Sequence, residues 1–281
     1  MLFSRPVTEI IKTRKSWRSY DGRELGEDLR AKIDIFTTGL GSPPFGGQVF
    51  FRLIKAKPPG KNTVPGTYGM IRGASDFLVG SVGRSARAME DFGYLFEKVI
   101  LSATDLGLGT CWMGGTFSRT SYAEQAGVAE GLIVPAISPV GYCAEKRNVV
   151  DSVTRVLAGS KKRKAWAELF FNLDFDAPLA EKDAGEYAAA LEMVRLGPSA
   201  SNNQPWRVVK DERGFHFFLK RSPGYKKLFG GMDLQKIDLG IAMSHFELTA
   251  EESGLDGGWS EVKDYPGPLP ERTSYIISWM S

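Results

Sequence analysis

Two long stretches of this chain repeat each other at a constant spacing. Residues 91–112 read DFGYLFEKVILSATDLGLGTCW, and residues 238–259 read DLGIAMSHFELTAEESGLDGGW. Identical residues recur 147 positions apart, among them Asp91/Asp238, Gly93/Gly240, Leu101/Leu248, Ala103/Ala250, Gly107/Gly254 and Trp112/Trp259. A period this long exceeds that of a solenoid repeat and predicts a duplicated half-domain. We therefore expect two fused halves, equivalent to a homodimer on one chain with pseudo-two-fold symmetry.

A shorter echo precedes each long stretch. Residues 41–50 read GSPPFGGQVF and residues 197–206 read GPSASNNQPW, with Gln48 and Gln204 placed 156 positions apart. The second copy keeps serines and asparagines, whereas prolines, a phenylalanine and glycines occupy the first. The side-chain amides of this loop are therefore expected to act in one half only.

Composition narrows the class of protein. The 281 residues are 42% hydrophobic and 25% charged, values typical of one large globular domain or two packed halves. The net charge of +3 does not indicate nucleic-acid binding. The few cysteines and histidines (Cys111, Cys143, His216 and His245) argue against a disulfide framework, a metal site and a Ser-His-Asp triad. With no apolar signal region and no apolar run of about 18 residues, we expect a soluble, cytoplasmic protein without a membrane segment.

Hydrophobic periodicity and Gly/Pro punctuation predict a mixture of helices and strands. Helices are expected at about 8–13 (capped by Thr8), 27–38, 86–106, 163–171, 182–196 and 236–253. Strands are expected at about 49–56, 76–82, 133–142, 206–210, 214–220, 257–263 and 273–279. Hairpin-length turns between strands favour an α+β fold over a doubly wound sheet. We assign residues 1–150 to the first half and 151–281 to the second, linked by residues 145–162.

A basic segment, RKSWR at 14–18, follows the first predicted helix. In an extended chain, alternate side chains project to one side. Arg14, Ser16 and Arg18 would then present two guanidinium groups and a hydroxyl together, which suits a phosphate and a second electron-rich acceptor. A solvated basic segment is the alternative. The basic run at 161–164 precedes a predicted helix, and we interpret it as a solvated helix end, with a binding patch as the alternative.

A glycine-rich loop, GLGTCWMGG at 107–115, follows the long central helix. Gly114 and Gly115 would let the backbone approach a flat ligand closely and point amides at its acceptors. A glycine C-cap with a turn explains Gly107 and Gly109 equally well, but it gives no reason for the later pair.

A third loop, PSASNNQPW at 198–206, places small residues and side-chain amides between a helix and a strand. Such a loop suits hydrogen bonding to the edge of a heteroaromatic ring. An Asx-rich turn without a ligand is the alternative.

Taken together, these segments resemble the flavin-dependent nitroreductase family. The matching patterns are Arg-x-Ser-x-Arg, Pro-Ser-x-x-Asn-x-Gln-Pro-Trp, and Gly-Leu-Gly-Thr-Cys-Trp-x-Gly-Gly followed by the Gly141-Tyr142 strand. The resemblance spans most of the chain and implies a nitroreductase-like fold that binds FMN between two subunits. One subunit would supply the arginine segment and the glycine loop, and its partner the Asn/Gln loop. Because each half of this chain keeps only one of these sets, we expect one FMN site, built between the halves.

The resemblance also implies roles for individual residues. Arg14 and Ser16 would hold the FMN phosphate, Arg18 would lie near flavin N1 and O2, and the Gly114 amide would donate to N5. The other expected FMN contacts are Lys15, Met113, Gly115, Lys146, Arg147, Pro198, Ser199, Ala200, Asn202 and Gln204. Gly114 and Arg18 are the expected catalytic residues, and no metal is expected.

The implied activity is a ping-pong reaction. NADH or NADPH would reduce FMN, and a nitroaromatic, quinone or similar electron-poor substrate would reoxidise it. We expect a monomer with internal pseudo-symmetry and with small molecules as its partners. Two alternatives remain: a flavin-binding or sequestering protein with little turnover, and a relic of the fold that binds no flavin.

Overall fold

The computed structural model of the chain describes residues 2–56, 67–145, 162–223, 232–262, 265 and 267–281. Its α-helices are α1 (Val7–Thr13), α2 (Glu27–Thr38), α3 (Ala88–Asp105), α4 (Arg119–Gln125), α5 (Trp166–Leu169), α6 (Ala188–Leu196) and α7 (Leu234–Glu252), and 3₁₀ helices cover Glu181–Tyr187 and Ala200–Asn202. Its strands are β1 (Val49–Lys55), β2 (Asp76–Val82), β3 (Gly109–Thr110), β4 (Ile137–Gly141), β5 (Phe170–Asn172), β6 (Trp206–Asp211), β7 (Gly214–Lys220), β8 (Gly258–Ser260) and β9 (Thr273–Met280). This mixture of helices and mainly antiparallel sheets confirms the predicted α+β class.

The strands form two sheets with the same topology. The first sheet has the order β1-β2-β4-β3, and all its pairs are antiparallel. The second has the order β5-β6-β7-β9-β8, in which β5 runs parallel to β6 and the other pairs are antiparallel. Apart from β5, the strands follow one another along the chain and pair in the same way in both sheets. The second sheet thus repeats the topology of the first.

The two long helices, α3 and α7, cross through a pair of matched glycines. A Cβ atom on Gly93 would lie 2.1 Å from the Ile237 carbonyl oxygen, and one on Gly240 would lie 2.0 Å from the Glu90 carbonyl oxygen. Glu90 and Ile237 are themselves 147 positions apart, like the two glycines. Each helix therefore meets the other through the same positions, which is the contact pattern of an isologous interface.

The crossing helices give each half part of the other's core. Tyr94 and Leu95 of α3 are buried in the cluster built mainly by the second half. In exchange, Leu234 and Ile237 of α7 are buried in the cluster of the first half. The apolar surface of either central helix is therefore covered only when both halves are assembled.

The first helix is held at its start by the opposite half. It begins at Val7, after Pro6, without a side-chain cap, so the predicted capping by Thr8 is wrong. The Glu252 carboxylate, at the end of α7, instead accepts the amides of Val7 and Thr8 at 2.5 and 3.4 Å. A carboxylate beside these first-turn amides satisfies donors that have no partner within the helix.

Two predicted helices of the second half are shorter than expected. The helix predicted at 163–171 is reduced to the single turn of α5, because residues 170–172 pair with β6 as strand β5. The helix predicted at 182–196 is interrupted at Gly185, whose φ of 62° lies in the left-handed region. Pairing with the sheet and one glycine thus overrode the helical periodicity.

The boundary that we predicted between the halves, at 150/151, lies outside the described residues. The assignment of 1–150 and 151–281 as halves therefore stays a prediction. Within the described ranges, no helix is long and apolar enough to cross a membrane.

Candidate functional site

A cleft of about 290 Å³ is lined by residues from two distant parts of the chain. The first half contributes Arg14, Lys15, Ser16, Arg18, Trp112, Met113, Gly114, Gly115, Thr116 and Ala136. The later part of the chain contributes Arg163, Pro198, Ser199, Ala200, Ser201, Asn202, Leu234, Ile237, Asp238 and Ile241. The volume is at the lower end of the range for small-molecule sites. The three segments that the sequence singles out thus meet at one place.

The basic segment is held in an extended form against the first sheet. Ser16 forms a parallel bridge with Thr110, and the Trp17 amide donates to the Thr110 carbonyl at 2.8 Å. The Trp17 side chain packs against the core beneath the sheet. Arg14, Ser16 and Arg18 line the cleft. The predicted alternation holds for Trp17, which packs inward, but not for Lys15, which lines the cleft together with the two arginines.

Arg14 lines the cleft with donors to spare. Its side chain is 7% exposed, and its Nε lies 3.8 Å from Glu97 Oε1. Neither Nε nor Nη1 of Arg14 has a hydrogen-bond partner among the described residues. Both unpaired nitrogens are buried, which is costly, and the residue itself lines the cleft, so the Arg14 guanidinium retains a positive charge that suits an anion there.

A third arginine of the cleft was missed in the sequence. Arg163 donates to Asn202 Oδ1 at 3.0 Å and to the Leu196 carbonyl at 3.1 Å. Burial, followed by the charge of Arg14, lowers the pKa of Arg163 to about 10, which leaves it charged at neutral pH. The interpretation of 161–164 as a solvated helix end is therefore wrong for Arg163. No local signal distinguishes it from its basic neighbours.

The loop between α6 and β6 forms the opposite wall with an unusual backbone. Ser201, Asn202 and Gln204 have φ angles of 52°, 54° and 48°, in the left-handed region that non-glycine residues seldom occupy. The Ala200 amide donates to Asp238 Oδ1 on α7 at 2.9 Å, which ties the loop to the central helix. Such strained conformations cluster at binding sites. The predicted ligand-binding loop therefore has the geometry typical of that role.

Gln204 lies beneath this loop and does not line the cleft. Its Oε1 accepts the Lys164 amide at 2.8 Å, and its Nε2 donates to the Asn202 carbonyl at 3.1 Å. With 3% of its surface exposed, Gln204 is part of the framework that holds the segment carrying Arg163 against the loop. Its proposed role thus changes from ligand contact to support.

The glycine loop reaches the cleft directly after a sheet contact. Met113 and Ile137 exchange backbone hydrogen bonds of 2.9 and 3.0 Å. A Cβ atom on Gly114 would lie 2.8 Å from a methyl carbon of Leu234, at the start of α7. The absence of a side chain at this position therefore lets the backbone of the loop pack against α7 where the cleft is formed.

Asp238 places a carboxylate in the cleft wall. One oxygen accepts the Ala200 amide, whereas Oδ2 has no hydrogen-bond partner among the described residues. Burial raises the pKa of Asp238 well above its usual value.

Two predicted residues, Lys146 and Arg147, lie outside the described residues. Their predicted contact with a phosphate stays a prediction. In the part of the chain that the structure describes, no group of three His, Cys, Asp or Glu side chains could hold a metal ion.

Comparison with known proteins places this architecture in context. Residues 6–250 match the family described as "Putative TM nitroreductase". The structure is similar to the crystal structure of a protein described as a "putative nitroreductase" from Thermotoga maritima MSB8, with a TM-score of 0.62 and 19% identity over 98% of this chain and 94% of that chain. Because the match spans nearly both chains, it shows the fold.

Other solved structures match only about half of the chain. A nitroreductase with bound FMN from Bacteroides fragilis NCTC 9343 has a TM-score of 0.40 and 22% identity over 52% of this chain and 92% of that chain. An FMN-dependent nitroreductase from Clostridium difficile R20291 has a TM-score of 0.40 and 20% identity over 50% of this chain and 92% of that chain. No curated protein matches the sequence.

Proposed function

The chain belongs to the nitroreductase family, and from this premise we propose that it is an oxidoreductase that binds FMN in the cleft between its halves. The observation that carries the proposal is the convergence of three segments on one cavity: the arginine segment, the glycine loop and the strained Asn/Gln loop. FMN combines a phosphate with a flat ring that is rich in hydrogen-bonding edges. The cleft offers a chemically matching group for each part.

Two cations and a hydroxyl suit the phosphate end. We assign the phosphate to Arg14 and Ser16, and we add Arg163, which lies close enough to Arg14 for their charges to interact. Guanidinium groups bind phosphate through charge-assisted hydrogen bonds. An anion would also relieve the repulsion between two partly buried cations.

The remaining walls suit the ring. Residues 198–202 would contact it from one side, and the backbone of Gly114 and Gly115 from the other. Arg18 would offset negative charge that develops on the ring, and the Gly114 amide would donate to a ring nitrogen. Bound FMN would itself supply the hydride chemistry.

We further propose that NADH or NADPH donates the hydride and that a nitroaromatic, quinone or similar electron-poor molecule receives it. The purified protein should then be yellow, with a visible band that bleaches on addition of NADPH or NADH and returns with menadione or a nitroaromatic. A flavin that stays oxidised under excess of both nucleotides would favour the sequestering alternative. Colourless protein that takes up no FMN would overturn the proposal.

The shared site is tested by one substitution in each half. Arg14→Ala and Asn202→Ala should each weaken FMN binding, Arg14→Ala by about tenfold or more, because a charge-assisted hydrogen bond contributes roughly 1.5–3 kcal/mol. Lys12→Ala, which removes an exposed cation just before the segment, is the matched control and should leave the affinity unchanged. Quenching of FMN fluorescence measures the affinity, and its endpoint should give one FMN per chain. Unchanged affinity in both cleft variants would contradict the shared site.

A further inference from the structure

We propose that His245 is a positively charged positioning residue which, by neutralising Glu97, keeps the Arg14 guanidinium available to an anion in the cleft. The inference rests on the proposed function only in assigning that anion to the FMN phosphate. The charge of His245 and its effect on Arg14 follow from contacts within the protein.

The hydrogen bonds of His245 determine where its protons lie. The residue is fully buried on α7, and its Nδ1 lies 2.8 Å from the Met193 carbonyl oxygen. A carbonyl can only accept, so Nδ1 must carry a hydrogen. The other ring nitrogen, Nε2, lies 2.9 Å from Glu97 Oε1. A proton must also lie between these two atoms, because otherwise two acceptors would face each other at hydrogen-bond distance.

The surroundings of Glu97 place that shared proton on the histidine. Glu97 is fully buried, and its Oε2 accepts the indole N–H of Trp112 at 2.7 Å. The Arg14 guanidinium adds a positive charge 3.8 Å from Oε1. A donor and a nearby cation both favour the ionised carboxylate. Burial opposes both charges, and these two contacts offset that cost at Glu97; we therefore place the shared proton on His245, as the proposal requires.

This pairing explains why Arg14 forms a long ion pair with Glu97 and not a hydrogen bond. A buried carboxylate without partners would attract a guanidinium into a two-pronged hydrogen bond. Here His245 and Trp112 each occupy one oxygen, and Arg14 remains 3.8 Å away with Nε and Nη1 unbonded among the described residues. The three buried charges of Arg14, Glu97 and His245 sum to +1, which gives the cleft wall a net attraction for an anion.

A double-mutant cycle separates this role from simple packing. His245→Gln keeps an amide that can donate but removes the charge, so Glu97 should capture Arg14 and FMN affinity should fall by about tenfold. Glu97→Gln alone should leave the affinity unchanged or raise it. The double variant should recover the affinity of Glu97→Gln, because there is then no carboxylate to capture Arg14. A double variant as weak as His245→Gln would overturn the proposal.

The matched control lies at the equivalent position of the other helix. Lys98 is 147 positions before His245 and contacts the partly buried carboxylate of Glu247, which does not line the cleft. Lys98→Gln should therefore leave FMN affinity unchanged. A loss equal to that of His245→Gln would mean that any buried charge between the helices matters, and the specific link to Arg14 would be overturned.

A second measurement does not depend on flavin. In the ¹⁵N spectrum of the flavin-free protein at pH 7, both His245 nitrogens should be protonated, whereas a neutral tautomer would overturn the charge assignment. The same cycle with inorganic phosphate as the probe, followed by ³¹P NMR, reports on Arg14 even if the chain binds no FMN. Failure of the proposed function is thereby distinguished from failure of this inference.

Discussion

The two central helices carry a similar arrangement of a carboxylate, a tryptophan and a contact across the helices twice, buried beside the cleft and partly buried away from it. Beside the cleft, Glu97 of α3 accepts the indole N–H of Trp112 at 2.7 Å and contacts His245 of α7 at 2.9 Å. Arg14 completes this copy. The Glu97 carboxylate thus contacts Trp112 of its own half, His245 of the opposite helix and Arg14 of the cleft.

In the other copy, Glu247 of α7 accepts the indole N–H of Trp259 and contacts Lys98 of α3 at 3.1 Å. Both tryptophans stand at matched positions, 147 apart, and so do Lys98 and His245, but the position matched to Glu97 is Ser244. The carboxylate has therefore moved along the helix by three positions, about one turn, while its bonding partners stayed equivalent. Tyr94, not an arginine, completes this copy. The comparison teaches that the fold retains a carboxylate between the helices, and that only one copy is linked to the cleft.

The largest loss of stability is expected at the two matched glycines where the central helices cross. Gly93→Ala and Gly240→Ala should each destabilise the fold by about 3 kcal/mol or more, because the new Cβ would overlap a backbone carbonyl of the crossing helix. Urea unfolding measures the loss. Gly41→Ala is the control, since nothing lies within 4 Å of its added Cβ. A large loss in one glycine variant and none in the other would break the symmetry of the crossing.

A smaller loss of stability is expected at Asp91, which holds the loop that differs between the two copies. Asp91 accepts the amides of Phe45 and Gly47 at 2.9 and 2.7 Å, so both its oxygens hold the first loop. Asp91→Asn should destabilise the protein by about 1–3 kcal/mol, because one loop amide would then face an NH₂ group. The measurement is the free energy of unfolding at pH 7. No change on Asn substitution would mean that the first loop does not depend on this anchor.

The smallest effect is expected at the matched residue of the second half. Asp238 holds its loop through one amide, and Asn could keep that bond, so Asp238→Asn should destabilise the protein less than Asp91→Asn does at pH 7. The pKa of Asp238 is raised above its ordinary 3.8 by burial. Its contribution to stability is therefore fully present below that ordinary value and falls as pH rises through the folded-state pKa.

The sign of this dependence provides the measurement. Asn cannot ionise, so the stability of Asp238→Asn relative to the natural protein should increase between pH 4 and pH 8. Unfolding curves at several pH values test the trend. A difference that is constant with pH, or that decreases as pH rises, would contradict the assignment of a raised pKa.

Hydrophobic periodicity predicted the bounds of a helix or strand well where the element packs through the face that the periodicity marks. The bounds of helix 27–38 and of strands 76–82 and 214–220 agree with the structure, because each is a regular apolar pattern with a clear end. The helix predicted at 163–171 did not agree, since its last residues pair with a distant strand. Pairing of this kind depends on residues that are far away in sequence.

The sequence predicted which segments form the candidate site better than it predicted the contacts between their side chains. The arginine segment, the glycine loop and the Asn/Gln loop all reach the cleft. Arg163 was missed because its burial depends on Gln204 and the loop, and the Glu97–His245 pair was missed because its partners lie 148 positions apart. Contacts between side chains on crossing helices cannot be recognised from the sequence pattern of either helix.

All the residues that line the cleft belong to one polypeptide, although Arg14 and Asn202 are far apart in the sequence. An enzyme that assembles such a pocket from two chains loses it on dilution, because its subunits separate. Here a covalent connection fixes the local concentration of one wall near the other. Ligand occupancy should therefore be set by ligand concentration alone, down to protein concentrations at which a two-chain counterpart would be empty.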